Sequence, residues 1–200
     1  MCDPSMRSTS STGATRKIAL GPATMMYPAL FAPTFDGPSS APKYGVRLLI
    51  DKTDQAMVAF VQSEIYHTMM AHYDTLFGDR PAVTIYNSPL HDGDREYPGH
   101  PTYRNRYYID ARTKFQPRLE DVFCSPISDP TAIHSGCRGR AVISFRPYSV
   151  RGRRGLGCIL HALQLSATES LPNQPTSGPE CVLNLLPYAR YGGAPNDPQH

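Results

Sequence analysis

The chain has 200 residues, a net charge of +3 and 40% hydrophobic residues, which is enough for one domain with a modest core. Its 20 prolines and 15 glycines argue against an all-α fold, because both residues interrupt helices. Charged residues make up only 18%, which excludes charge-driven disorder, and no apolar run approaches the roughly 18 residues of a membrane span.

The N-terminal part of the chain is predicted to consist of a tail followed by two strands. Residues 1–16 are rich in serine and threonine, which is typical of a disordered tail, and they contain no apolar stretch of the secretory type. A strand is expected at about 17–26, before an irregular segment at 27–31. Residues 43–50 alternate between apolar and polar side chains, which predicts a second strand with one buried face.

One helix is predicted, at about 52–77. Its apolar side chains between Met57 and Met69 follow helical spacing, so we expect them to face the core rather than a ligand. Asp51 or Thr53 is the expected N-cap, because a short polar side chain can accept a hydrogen bond from the first turn. The helix therefore separates the early strands from those that follow.

The second half of the chain returns to β-structure. Four more strands are predicted at 82–87, 103–114, 136–148 and 157–165, with a basic hairpin loop at 149–156. Residues 169–200 are predicted to form a tail rich in proline and glycine. This order favours a mainly β fold over residues 17–168, namely an OB-fold: a five-stranded, partly open barrel with one inserted helix. A β-sandwich is the alternative.

Two of these strands each carry arginine and tyrosine on one face. Alternation gives basic faces with Arg104, Arg106, Tyr108 and Arg112 on the first strand and Arg138, Arg140, Arg146 and Tyr148 on the second. Between residues 130 and 168 the chain has arginines but no acidic residue, which creates a local positive potential. Such a surface is suited to an anionic polymer.

The combination of arginine and tyrosine favours single-stranded nucleic acid over a duplex. Guanidinium groups neutralise phosphates, whereas tyrosine rings stack on bases that a duplex would hide. The expected phosphate contacts are Arg104, Arg106, Arg112, Arg138, Arg140, Arg146 and Arg153, and the expected stacking residues are Tyr108 and Tyr148. We therefore expect a non-enzymatic protein that binds single strands independently of their sequence.

Two other functions remain alternatives. His91, Asp92 and Asp94 lie close together in the sequence and could hold a divalent ion, as in a metal-dependent nuclease. Asp-Gly is also typical of a tight turn, however, and the chain contains no recognised catalytic or cofactor-binding motif, so no cofactor is expected. In the other alternative, the barrel is a structural or assembly protein that packs on copies of itself through its tyrosine face.

The five cysteines show neither a CxxC pair nor the spacing of zinc ligands. Their odd number and the lack of a secretory signal predict reduced thiols in a cytoplasmic compartment. Cys137 and Cys158 lie in apolar strands and are expected to fill the core.

Six short strings spread over most of the chain carry a family resemblance. They are YPALF at 27–31, KYGV at 43–46, IDK at 50–52, SPLHDGD at 88–94, GCRGRA at 136–141 and FRPY at 145–148, the last before a glycine-rich turn. In order and spacing they resemble a family of bacteriophage single-stranded-DNA-binding proteins, over roughly residues 17–170. The resemblance implies an OB-fold that coats single-stranded DNA during phage replication, in the host cell cytoplasm and without catalysis.

The resemblance also implies which surfaces border the DNA. By position, the groove would be lined by the segment around Phe31 and by the strands Arg104–Arg112 and Arg138–Tyr148, which adds Phe31 to the expected stacking residues. The expected partners are single-stranded DNA and replication proteins of the phage or host. No membrane partner is expected, and self-association is left open.

Overall fold

The computed structural model describes residues 15–35, 37, 40–78, 86–150 and 153–166. The strand predicted at 82–87 is therefore described only for its last two residues. The predicted tails lie outside the described residues, apart from residues 15 and 16, and the domain boundaries at 17 and 168 stay predictions.

The described residues contain one sheet of eight strands. In chain order these are β1 (Lys17–Thr34), β2 (Lys43–Asp51), β3 (Tyr86–Asn87), β4 (His91–Asp92), β5 (Arg106–Thr113), β6 (Arg118–Glu120), β7 (Arg138–Val150) and β8 (Arg153–Leu165). The short strands β3, β4 and β6 pair with the edges of the longer ones.

The five longer strands close into a barrel. Antiparallel pairs place β2 between β1 and β5, and β7 between β1 and β8. β8 also pairs in parallel with β5, where Ala111 lies opposite Cys158, and this contact closes the barrel. The predicted mainly β, five-stranded OB-fold with an inserted helical segment is confirmed, except that the barrel is closed rather than partly open.

β1 is longer than the sequence predicted. The prediction of an irregular segment at 27–31 is wrong, because β1 continues through these residues with a bulge. Tyr27 has a φ of 51°, and the register against β2 shifts between Met26 and Ala29. The Tyr27 N–H donates to the Ser135 hydroxyl at 2.9 Å. This contact ties the bulge to Ser135, and the Tyr27 side chain is 59% exposed.

The hairpin and β5 also differ from their predicted bounds. Most of the loop expected at 149–156 is strand, because β7 and β8 stay paired as far as Val150 and Arg153. β5 begins at Arg106, three residues later than predicted. The preceding residues form turns in which Asn105 has a φ of 56°, so strand alternation does not apply to them.

The single predicted helix is interrupted. The α-helices in the described part of the chain are α1 (Gln55–Ala71), α2 (Tyr73–Leu76) and α3 (Gly93–Glu96), and a short 3₁₀-helix spans Pro130–Ala132. α1 and α2 are separated at His72. The N-cap of α1 is Asp54 rather than Asp51 or Thr53, because the Asp54 carboxylate accepts the Met57 N–H at 3.0 Å. None of these helices has the length and apolar composition needed to cross a membrane.

The main core fills the barrel and the adjoining side of α1. Its strand residues include Val46, Leu48, Ile50, Ile109, Ala111, Ala141, Ile143 and Phe145, which are the positions that alternation predicted to point inward. From α1, Met57, Val61 and Ile65 join the same core. The expected core-facing stripe of the helix is therefore confirmed.

The cysteines follow the prediction only in part. Cys158 is buried and Cys137 is half-buried against the core, and both are free thiols. Cys124, by contrast, is disulfide-bonded, so the prediction of reduced thiols is wrong at this position. Sequence spacing could not show this, because disulfide formation depends on which cysteines the fold brings together.

Asp54→Ala is expected to lower the free energy of unfolding by about 1 kcal/mol, because the first turn of α1 loses its side-chain acceptor. Urea unfolding followed by circular dichroism measures the change. Thr53→Ala is the matched control, expected to change stability by less than about 0.5 kcal/mol. Equal losses in the two variants would contradict the assignment of the cap.

Candidate nucleic-acid interface

A groove of about 390 Å³ crosses the outer face of β1, β2 and β5, and the segment between α3 and β5 forms its wall. Three cationic side chains line it: Lys43, Arg47 and Arg112. Asp110 is the one carboxylate among the described lining residues. This excess of positive charge favours an anionic ligand.

Aromatic rings form the wall of the groove. Tyr97 stacks on Tyr103 with ring centroids 4.3 Å apart, and Tyr103 meets Tyr108 edge-on at 5.6 Å. Tyr103 and Tyr108 are only 2% and 3% exposed. Tyr97 is 37% exposed, and Tyr27, on the β1 bulge, is also exposed. A ligand in the groove can therefore reach Tyr27 and Tyr97, while the other two rings support the wall.

Arg47 joins these rings to the barrel. Its guanidinium donates to both carboxylate oxygens of Asp110, at 2.7 and 2.8 Å. It also donates to the hydroxyls of Tyr103 at 2.7 Å and Tyr97 at 3.2 Å, and its Cζ lies 4.2 Å from the centroid of Tyr108. Hydrogen bonding to Asp110 is the main cause that raises the pKa of Arg47. Arg47 is therefore a fixed, charge-compensated part of the groove floor.

Glu96 anchors Tyr108 from behind the wall. The Tyr108 hydroxyl donates to the Glu96 carboxylate, and the other carboxylate oxygen lies 2.8 Å from Nδ1 of His91. The His91 ring also stacks on Tyr108 at 4.8 Å. Burial raises the pKa of Glu96, but the hydrogen bonds with Tyr108 and His91 outweigh it, so this pKa lies below its ordinary value. Burial and the neighbouring Glu96 both raise the pKa of Tyr108, which keeps its hydroxyl protonated.

The SPLHDGD segment is held by Lys52, whose ammonium lies 2.6 Å from the Asp92 carboxylate and 2.8 Å from that of Asp94. Asp92 also caps α3, and Asp94 accepts the Asn105 N–H at 2.9 Å. Hydrogen bonding to Lys52 is the largest cause that lowers the pKa of each aspartate. Within the described ranges, no three His, Cys, Asp or Glu side chains are grouped as metal ligands. Through their contacts with Lys52 and Asn105, the two carboxylates brace the groove wall.

Of the predicted contact residues on β1 and near β5, Arg112 lines the groove and is exposed. Arg104 is exposed in the turn before β5. Arg106 is bound to the carboxylate at the end of β2, with an N–O distance of 2.7 Å. Tyr108 is buried within the wall, and Phe31 is half-buried against the main core. Arg112 is thus the member of this group that the groove presents directly.

The predicted contact residues on the β7–β8 hairpin fall into two groups. Arg138 and Arg140 lie near its base, whereas Arg146, Tyr148 and Arg153 lie toward its tip. The groups are roughly 20 Å apart along β7, at about 3.3 Å per residue. The two outward positions between them, occupied by valine and serine, are buried. The structure therefore divides the continuous basic face that alternation predicted.

Sequence reasoning did not identify Arg47, Tyr27 or Tyr97 as groove residues. Arg47 is an outward position of β2 directly opposite Asp110 of β5, so pairing the outer faces of these strands would have brought opposite charges together. Tyr97 lies in a segment without strand or helix periodicity, where alternation gives no signal. Tyr27 was expected in an irregular segment, whereas it is part of a bulged strand.

Comparisons with known proteins connect this fold to phage proteins. A family model described as "Enterobacter phage Enc34, ssDNA-binding protein" matches residues 16–176. The single-stranded DNA-binding protein from bacteriophage Enc34 in complex with ssDNA is 21% identical, with a TM-score of 0.67 over 77% of this chain and 88% of that chain. A structure of gp2.5, a single-stranded DNA binding protein encoded by bacteriophage T7, is 13% identical, with a TM-score of 0.59 over 80% of this chain and 99% of that chain. No curated protein matches the chain.

Lys52→Gln is expected to raise the pKa values of Asp92 and Asp94, because both carboxylates lose the ammonium that stabilises their charged form. Titration of the side-chain carboxyl carbons by NMR measures the change. Lys114→Gln removes the same charge from an exposed site after β5 and is expected to leave both values unaltered. If both values stay the same in Lys52→Gln, Lys52 does not hold this segment.

Proposed function

This chain belongs to the family of the ssDNA-binding protein of Enterobacter phage Enc34, and we propose that single-stranded DNA lies in the groove on the outer face of β1, β2 and β5. The observation that carries this proposal is the pairing, in one groove, of the exposed rings of Tyr27 and Tyr97 with the cations Lys43 and Arg112. As in the family, the protein is a binding protein and not an enzyme.

The charge balance of the groove supports contact with phosphates. Asp110 would repel a phosphate if it were unpaired, but Arg47 engages both of its carboxylate oxygens. Lys43 and Arg112 are the other two cationic side chains of the described lining. Each phosphate that these cations neutralise releases counterions, so the affinity falls as salt is added.

The exposed rings support contact with bases. Tyr103 covers one face of Tyr97, and Tyr97 remains 37% exposed for a base. Stacking contributes about 1–3 kcal/mol per base and tolerates any sequence, because every base has a π-face. A duplex hides these faces, so the same rings favour single strands.

Two predicted arginines extend the proposed site. Arg138 lies opposite Thr24 of β1, which lies opposite Leu49 of β2, which in turn lies opposite Tyr108. Arg138 is therefore on the outer face that carries the groove, and we include it together with the exposed Arg104 as a phosphate contact.

Three other predicted contact residues, Phe31, Arg106 and Arg140, are not part of the proposed groove. Arg146, Tyr148 and Arg153 would meet only a DNA strand that runs on toward the hairpin tip.

The proposed role is to coat and protect single-stranded DNA during phage replication and recombination in the cytoplasm of the host cell. Contacts to phosphates and base faces suit this role, because they do not depend on the sequence that is exposed. Replication proteins of the phage or host are the proposed protein partners. From the sequence we also propose that the DNA-binding domain extends from residue 17 to residue 168. Self-association of the protein is a further proposal from the sequence.

Tyr97→Ala is expected to weaken binding to oligo-dT by about 5- to 150-fold, which corresponds to one lost stacking contact. The slope of log K against log salt should stay the same, because the ring displaces no counterion. Fluorescence anisotropy at about 50 and 200 mM salt measures both quantities. Tyr66→Ala removes an exposed ring on α1 and should bind as the wild type does. Unchanged affinity in Tyr97→Ala would remove this ring from the site.

Arg112→Gln is expected to reduce the salt slope by about 0.7, the value for one phosphate contact on a single strand. An oligo-dT of about six nucleotides confines the measurement to the groove. Arg146→Gln makes the same charge change near the hairpin tip and should leave that slope unaltered. A slope that falls in Arg146→Gln but not in Arg112→Gln would place the DNA on the hairpin instead.

A further inference from the structure

The groove wall is supported by the buried ring of Tyr108 and the exposed carboxylate of Glu96, neither of which is among the described residues that line the groove. We propose that Glu96 and Tyr108 are positioning residues for single-stranded DNA, because they hold the Tyr97 ring in the orientation that stacks on a base. This inference rests on the proposed function and deepens it. It also gives Tyr108 a different role from the direct stacking that the sequence predicted.

The first step runs from Glu96 to Tyr108. The hydroxyl of Tyr108 donates to the Glu96 carboxylate, while the His91 ring stacks on the Tyr108 ring at 4.8 Å. Because Tyr108 is only 3% exposed, its ring is not available to a base. The Tyr108 side chain is instead held by Glu96 at its hydroxyl and by His91 on the face of its ring.

The second step runs from Tyr108 to Tyr97 through Arg47. The guanidinium of Arg47 lies over the Tyr108 ring, with Cζ 4.2 Å from its centroid, and donates to the Tyr97 hydroxyl at 3.2 Å. Asp110 holds the same guanidinium in a fixed plane by two hydrogen bonds. The place of Tyr108 beneath this plane therefore helps to set where the Tyr97 hydroxyl is held.

The backbone supplies a second connection between Glu96 and Tyr97. Tyr97 follows Glu96 directly and caps the C-terminal end of α3, where its N–H donates to the Gly93 carbonyl at 2.9 Å. Glu96 is tied through its side chain to Tyr108 and His91. Both ends of Tyr97 are thus held, its backbone by α3 and its hydroxyl by Arg47.

Holding Tyr97 in place strengthens binding because a free ring would have to be ordered when a base stacks on it. Immobilising one side chain changes affinity by about 2- to 12-fold. Tyr108→Phe removes only the hydroxyl and keeps the ring beneath Arg47. We expect this variant to bind oligo-dT about 2- to 12-fold more weakly, with an unchanged salt slope.

A double-mutant cycle with Tyr97→Ala tests whether Tyr108 acts through Tyr97. Tyr108→Phe should weaken binding in the wild-type background and cause no further loss in the Tyr97→Ala background. Glu96→Gln, which keeps the size of the side chain and removes its charge, is the second variant and should follow the same pattern. Tyr66→Phe removes a hydroxyl from an exposed ring on α1 and is the control.

The outcomes separate this inference from the proposed function. Full affinity in Tyr97→Ala would overturn the proposed groove. If Tyr97→Ala weakens binding but Tyr108→Phe and Glu96→Gln bind as the wild type does, only the positioning roles are overturned. Equal losses in both backgrounds would also overturn them, because a general structural defect acts whether or not Tyr97 is present. Circular dichroism of each variant verifies that the fold is retained.

Discussion

The groove depends on the bidentate pair between Arg47 and Asp110. The two residues face each other on β2 and β5, and their side chains are only 15% and 30% exposed. Loss of either partner would leave a partly buried charge without its counter-ion, which is costly. The pair also fixes the guanidinium that holds the wall tyrosines, and it compensates the carboxylate among the described lining residues. One interaction thus supports the rings of the groove wall and pairs the carboxylate on its floor.

Alternation predicted the core because the direction of a strand residue is enough to place it inside a barrel. Leu48 lies in the alternating segment at 43–50, and Ile109 lies on the face of β5 opposite the predicted basic face; both are fully buried. The outer face could not be predicted in the same way, because its exposure depends on what lies over each strand. Tyr108 does point outward, yet the irregular segment that carries Tyr97 and Tyr103 covers it. Periodicity therefore gave the direction of these side chains but not their accessibility.

Polar sequence patterns left a second kind of ambiguity, which only long-range contacts resolve. His91, Asp92 and Asp94 fitted both a metal site and a tight turn, since either use needs closely spaced polar groups. In the structure the segment is a strand and a helix rather than a tight turn, with β4 at His91–Asp92 and α3 at Gly93–Glu96. Both aspartates pair with Lys52, which lies 40 positions before Asp92 in the chain. Pairing of β2 with β5 brings Lys52 beside the segment. A short sequence motif therefore cannot predict the contact of Lys52 with Asp92 and Asp94.

In the proposed function, a ring that stacks on any base needs an open face and must not collapse onto neighbouring apolar surface. Tyr97 meets both needs, because Tyr103 supports one face while Arg47 holds its hydroxyl. Asp110 compensates the charge of Arg47, so this support does not depend on a phosphate being present. Under the same proposal, the contacts with phosphates are assigned to Lys43 and Arg112 instead. In this proposal, the residues that support the Tyr97 ring differ from those that contact DNA. The support of the ring is therefore the same whichever bases and phosphates occupy the groove.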